Sequence, residues 1–268
     1  MKSESTPHLV MLISQDLNSP SGLGRYFPLA KHLARQNYRV TILALHSNFE
    51  SALIRDFWDQ GVHVRYVAQM HVRKVDNSTH YSSTMDLIKT SIKATQTLKK
   101  EAMKEDPDLV LVGKPHPMNG IAGLMVARQK SIPLIVDCDD YEAESNKTNS
   151  FWQKPLLRFF ENSLPNKADL ITTNTFFNKE RMKKLGIDEN KIQYLPNGVD
   201  TDRFHYISAE ELKCLRDSLV LEDNKIIAYL GSLNLKNHPV DLLIRSFAIV
   251  AQNQKNVRLL IIGGGGDM

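Results

Sequence analysis

The chain predicts an α/β fold: a complete N-terminal Rossmann-like domain with a parallel sheet, then the first β-α-β of a second Rossmann-like domain. Three observations carry this expectation. Short, continuous apolar runs bounded by turn residues recur at 9–14, 109–112, 134–136 and 257–262, which suits strands buried on both faces. Segments with apolar residues at helical spacing lie between them, and strands alternating with helices argue for a parallel sheet covered on both sides. After residue 225 the same alternation restarts.

Each element follows from its local pattern. Strand 9–14 runs into a loop rich in Ser, Pro and Gly at 18–24. A helix is expected over 25–36, with Leu29, Ala30, Leu33 and Ala34 on one stripe and Pro28 in the first turn, where a missing N–H costs little. Strands follow at 39–45 and 62–67, then a helix at 84–104 that places Leu87, Ile88, Ile92 and Leu98 on its apolar face. Strands 109–112 and 134–136 flank a helix at 121–128. An aromatic-rich helix at 151–163, a strand at 170–173, a helix at 179–185 and a strand at 192–195 complete the first half. A polar helical connector at 210–217 precedes strand 226–230, helix 240–250 and strand 257–262. The expected domains are therefore 1–204, a linker at 205–224, and an incomplete domain at 225–268.

Composition narrows the function. Two cysteines, Cys138 and Cys214, lie far apart, so no disulfide framework is implied. The apolar run at the start is too short for a signal peptide or a membrane span, which sets a cytoplasmic expectation that permits peripheral membrane contact. A net charge of +4 allows contact with lipid headgroups, nucleotides or phosphates and selects none of them. The basic groups at Lys99, Lys100 and Lys104 and from Lys179 to Lys184 read as solvated helix faces, and no nucleic-acid partner is expected.

Four loops can carry chemistry. Gly22 and Gly24 lie between a strand and a helix, where backbone can approach a phosphate closely. A dinucleotide fingerprint fails, because Phe27 stands in place of the third glycine and 45–47 has no acidic residue, so an NAD-dependent oxidoreductase is disfavoured. The stiff loop 113–120 presents His116 and Asn119 at the carboxyl end of a buried strand. Asp139 and Asp140 hold the equivalent place after a later strand, with carboxylates suited to sugar hydroxyls, a metal or a helix cap. In the second half, Gly231, Ser232 and Lys236 join a strand to a helix N-terminus, a setting for a diphosphate.

The segment 195–204 (LPNGVDTDRF), with these loops in this order, resembles the interdomain signature of family four of the retaining glycosyltransferases, which have the two-Rossmann GT-B fold. The resemblance implies transfer of a sugar from a nucleotide-sugar, with retention, to a glycan, lipid or small-molecule acceptor. It implies no cofactor and no metal beyond that co-substrate. It places Gly22, Gly24, Gly231, Ser232 and Lys236 at the donor diphosphate, His116 near the transferred sugar, and Arg25, Tyr26, Asn119, Asp139 and Asp140 on the acceptor side. Asn197, Gly198 and Asp200 would form the hinge of an interdomain cleft. Departures are Ser232, where the family often has Arg, and Asn237, where Lys is usually followed by Gly. The family's paired glutamates and its base-binding segments would lie beyond Met268, so the chain alone is expected to be inactive. The competing expectation is a non-catalytic acceptor-binding or partner subunit, completed by a second chain.

Overall fold

The computed structural model describes residues 6–75, 78–81, 83–145, 152–198, 204–221, 223–233, 235 and 238–264. The chain divides into two compact units, Met1–Asp200 and Thr201–Met268.

In the first unit β1 (His8–Ile13), α1 (Phe27–Arg35), β2 (Arg39–His46), β3 (Asp56–Asp59) and β4 (Val62–Gln69) come first. The short hairpin β5 (Val72–Val75) and β6 (Ser78–Tyr81) follows, then α2 (Thr84–Glu105), β7 (Leu109–Gly113), α3 (Pro117–Lys130) and β8 (Leu134–Asp137). α4 (Glu142–Ser145), α5 (Gln153–Ser163), β9 (Leu170–Thr173), α6 (Phe176–Lys184) and β10 (Ile192–Tyr194) close it. Eight strands form one sheet in the order β10-β9-β8-β7-β1-β2-β4-β3, parallel throughout except for the antiparallel edge strand β3. The chain winds one way from β1 through β2 to β4, then the other way from β7 to β10. The switch between β1 and β7 opens a crevice at the carboxyl ends of the strands, where open α/β sheets bind ligands.

Alternation along β1 builds a core on each face. Val10 and Leu12 pack with Leu98, Ala102, Ala122 and Val126 of α2 and α3. Leu9, Met11 and Ile13 pack with Tyr26 and Ala30 on the opposite face.

The second unit contains α7 (Ala209–Ser218), β11 (Lys225–Leu230), α8 (Val240–Asn253) and β12 (Val257–Ile262), with β11 and β12 paired in parallel.

Several expectations are corrected. Helical backbone begins at Pro20 rather than residue 25, so Gly22 and Gly24 lie within a helical entry. α3 begins at Pro117 rather than residue 121, because proline tolerates the first helical turn. The β3–β4 hairpin was not anticipated, although Gln60 and Gly61 both have positive φ, 48° and 82°, as a tight two-residue turn requires. α2 buries Ala94, Leu98 and Ala102 but leaves Ile88 and Ile92 exposed, so its core face lies along its second half.

Candidate functional site

The carboxyl edge of the first unit's sheet is assembled from four chain segments. After β1, the backbone passes Ser14 and Asp16 into a π-helical turn, Gly22–Tyr26, that runs directly into α1. Such turns recur at functional sites. Pro28 accounts for it: proline cannot donate to the carbonyl four residues back and its ring crowds that carbonyl, so a wider turn upstream relieves both. A Cβ on Gly22 would come within 2.6 Å of Leu17 Cα, whereas one on Gly24 would meet nothing within 4 Å. Gly22 is therefore there for close backbone packing, and Gly24 leaves an open surface.

The same turn buries both Arg25 and Tyr26. Arg25 donates to both carboxylate oxygens of Asp137, at 2.8 and 2.6 Å. Its remaining nitrogen donates to Leu195 O at 3.0 Å and to Asn197 Oδ1 at 2.8 Å. Tyr26 packs on Gly113, where a Cβ would lie 2.8 Å from the tyrosine ring. Neither side chain is presented to solvent as an acceptor contact.

After β7, Lys114 adopts φ +62°, a left-handed conformation that costs energy outside glycine and concentrates at functional sites. Asn119 holds it there. Its buried Nδ2 donates to the carbonyls of Leu12, Gly113 and Lys114 at 3.1, 2.7 and 3.1 Å, so Asn119 braces the loop from within. His116, the residue preceding α3, is half-buried, with Nδ1 2.8 Å from Ser14 Oγ. Its Nε2 is buried and has no partner among the described residues. Burial pushes the imidazole pKa down to about 4, with Lys114 and His71 acting in the same direction, so the ring is neutral at pH 7.

After β8, Asp139, Asp140 and Glu142 bring carboxylate oxygens within 4.8 Å of one another. The group does not suit a divalent ion, because the Lys114 ammonium already sits among them. It contacts Glu142 closely, and lies 3.2 Å from Asp140 and 3.6 Å from Asp139. Burial works against the lysine's charge, but Glu142 and Asp139 outweigh it and raise its pKa. Burial lifts Asp139 to about 6 despite that neighbour. Asp140 is the exposed member of the group.

Supporting residues were not legible as site residues beforehand. Fully buried Glu161 accepts the amides of Glu142 and Ala143 at 2.6 and 3.0 Å, and burial raises it to about 7. Asn178 Nδ2 donates to Asp139 O at 3.2 Å, and the Arg181 guanidinium lies 4.1 Å from the centre of the Tyr141 ring. Their partners are distant in sequence, and only the sheet order brings them together.

In the second unit, the Gly231 amide donates to Ile262 O at 3.0 Å and Leu233 to Gly264 O at 2.9 Å. Tyr229 Oη donates to Ser232 O at 2.8 Å. Gly231 and Ser232 thus stand at the carboxyl end of β11. Lys236 and Asp200 lie outside the described residues.

Comparison with known proteins places this architecture. The model of a family described as Glycosyltransferase Family 4 matches residues 21–203. Over 115 residues the chain is 28% identical to alpha-galactosylglucosyldiacylglycerol synthase of Streptococcus pneumoniae, covering 42% of this chain and 29% of that protein. Over 139 residues it is 27% identical to the processive diacylglycerol alpha-glucosyltransferase of Acholeplasma laidlawii, covering 50% and 40%. The matches thus span less than half the length of either relative. Among solved structures, sucrose-phosphate synthase from Thermosynechococcus elongatus superposes with a TM-score of 0.69 at 13% identity, over 96% of this chain and 62% of that one. Anabaena HepE in complex with UDP-glucose superposes with a TM-score of 0.59 at 15% identity, over 96% and 60%. At these identities the solved structures establish the shared GT-B fold alone.

Proposed function

The chain belongs to Glycosyltransferase Family 4, and from that premise we propose that the protein transfers a sugar, with retention, from a nucleotide-sugar to an acceptor hydroxyl. The observation that carries this reading is His116: a neutral imidazole at the sheet's switch point, oriented by Ser14, with Nε2 unpartnered among the described residues. In the tautomer in which Ser14 Oγ donates to Nδ1, the ring hydrogen is on Nε2, which can then donate to a hydroxyl of the transferred sugar. As the anomeric C–O bond breaks, charge develops on the sugar and on the departing diphosphate, and preorganised donors stabilise that state. In the first unit Gly24, at an open surface, is assigned to phosphate binding, and Asp139 and Asp140 to the acceptor side; in the second unit Gly231, Ser232 and Lys236 are assigned to phosphate binding. Asn119 and Tyr26 support those groups from the interior. HepE, which shares the fold, is in complex with UDP-glucose, and this favours a uridine diphosphate sugar as the first donor to try.

A lipid acceptor, reached by peripheral membrane contact, is favoured by α5. There Phe159 is 63% exposed beside Arg158 and Lys154, and both curated relatives are named for diacylglycerol lipids. The test is incubation of the purified full protein with radiolabelled nucleotide-sugars and diacylglycerol-containing vesicles or soluble glycans. Label transferred to an acceptor supports the reading. Neither transfer nor nucleotide-sugar binding across the panel rejects it.

A further inference from the structure

The segment that leads out of the first unit is tied back by one buried side chain. Arg25 is only 6% exposed. Two of its nitrogens grip Asp137, and the third holds Leu195 O and Asn197 Oδ1, some 170 residues away in sequence. Asp137 is itself shared. Its Oδ1 also accepts from Thr172 Oγ1, and its backbone carbonyl accepts the Lys114 amide at 3.0 Å. Lys114 O in turn accepts the His116 amide at 2.8 Å. A continuous chain of hydrogen bonds therefore runs from Asn197 through Arg25, Asp137 and Lys114 to His116. Planar, bidentate guanidinium geometry fixes orientation as well as distance, which lysine could not do.

We propose that Arg25 is a positioning residue that locks the departing segment at Leu195–Asn197 in a fixed relation to the His116 loop, with Asn197 as its release point. The catalytic consequence rests on the transferase reading above; the mechanical claim does not.

Removing Arg25 would leave the Asp137 carboxylate buried without its cation and threaten the fold, so the test is placed on Asn197, which is exposed. In the full protein, Asn197→Ala is expected to speed hydrogen exchange of the Leu195 amide, bonded to Thr173 O at 2.8 Å, by about tenfold, the worth of one hydrogen bond to a charged group. Exchange in β8 should stay unchanged. Sugar transfer should lose about tenfold in kcat with KM within about twofold, since an orienting contact is lost and donor binding is not. Asn197→Asp, which keeps an oxygen for Arg25, should restore both. Equal loss in the two variants, faster exchange across β8 and β9, or no change in Asn197→Ala would each overturn the proposal. If the wild type transfers no sugar, the transferase reading fails, and the Leu195 exchange rate alone decides whether the lock exists.

Discussion

Gly22 and Gly24 are two residues apart, yet they answer to different constraints. At Gly22 an added methyl would press on the Leu17 backbone, which has no flexible end to move aside. Gly22→Ala should cost about 1–3 kcal/mol in urea unfolding. Gly24→Ala, in open space within a helical turn, should be neutral or gain up to about 1 kcal/mol. Buried charge gives a second prediction. Lys114→Met leaves Asp139 and Glu142 buried without their cation, and should lose roughly 3–5 kcal/mol at pH 7. That deficit should shrink as the pH falls and the carboxylates protonate. His116 gives a third. Its pKa is about 4 folded against an ordinary 6.5, so between those values the unfolded chain binds the proton and the folded one does not. Stability therefore falls as the pH drops through that window. Urea midpoints of His116→Gln at pH 7 and 4.5 should differ less than those of the wild type. Glycines and a histidine between prolines could be read from the sequence, because turn chemistry is local. Lys114 and Glu161 could not, since nothing near them in the chain announces the carboxylates or amides that they meet.

At the scale of elements, buried parallel strands were legible because their apolar runs are short, continuous and bounded by turns. Helix starts were less so. Pro20 and Pro117 each open a helix earlier than the apolar periodicity alone suggests. β3 and β5 are four residues long, too short for an alternation to stand out. α3 shows how an element is seated by small residues. A Cβ on Gly123 would collide with Val112 Cγ2, and one on Gly120 would lie 2.7 Å from Leu164 Cδ2. Val112 is β-branched, stiff and held in the central sheet, whereas the leucine tip can rotate. Thermal melts should therefore show Gly123→Ala losing about 1–3 kcal/mol. Gly120→Ala should lose clearly less, because gained helix propensity offsets part of the crowding.

For the whole molecule, the alternation of strands and helices and its restart after residue 225 sufficed to read a parallel α/β architecture that begins twice. The GT-B type came with the resemblance carried by the LPNGVD segment, and the family match over residues 21–203 agrees with that resemblance. Position in the sheet gives those residues their meaning. Winding outward in both directions from β1 and β7 brings Ser14, Lys114, His116, Asp137 and Asp139 to one edge, although they are spread over more than 120 residues. If this edge serves sugar transfer through the Nε2 of His116, the decisive quantity is acceptor-dependent release of nucleoside diphosphate. It is to be measured on the full protein, wild type against His116→Asn, with nucleotide-sugar binding followed in parallel. The wild type should release the diphosphate, and the variant should lose about a hundredfold or more, the scale of removing one preorganised donor, with binding retained. Undiminished release by His116→Asn, or none by the wild type, would contradict a role for this edge in transfer.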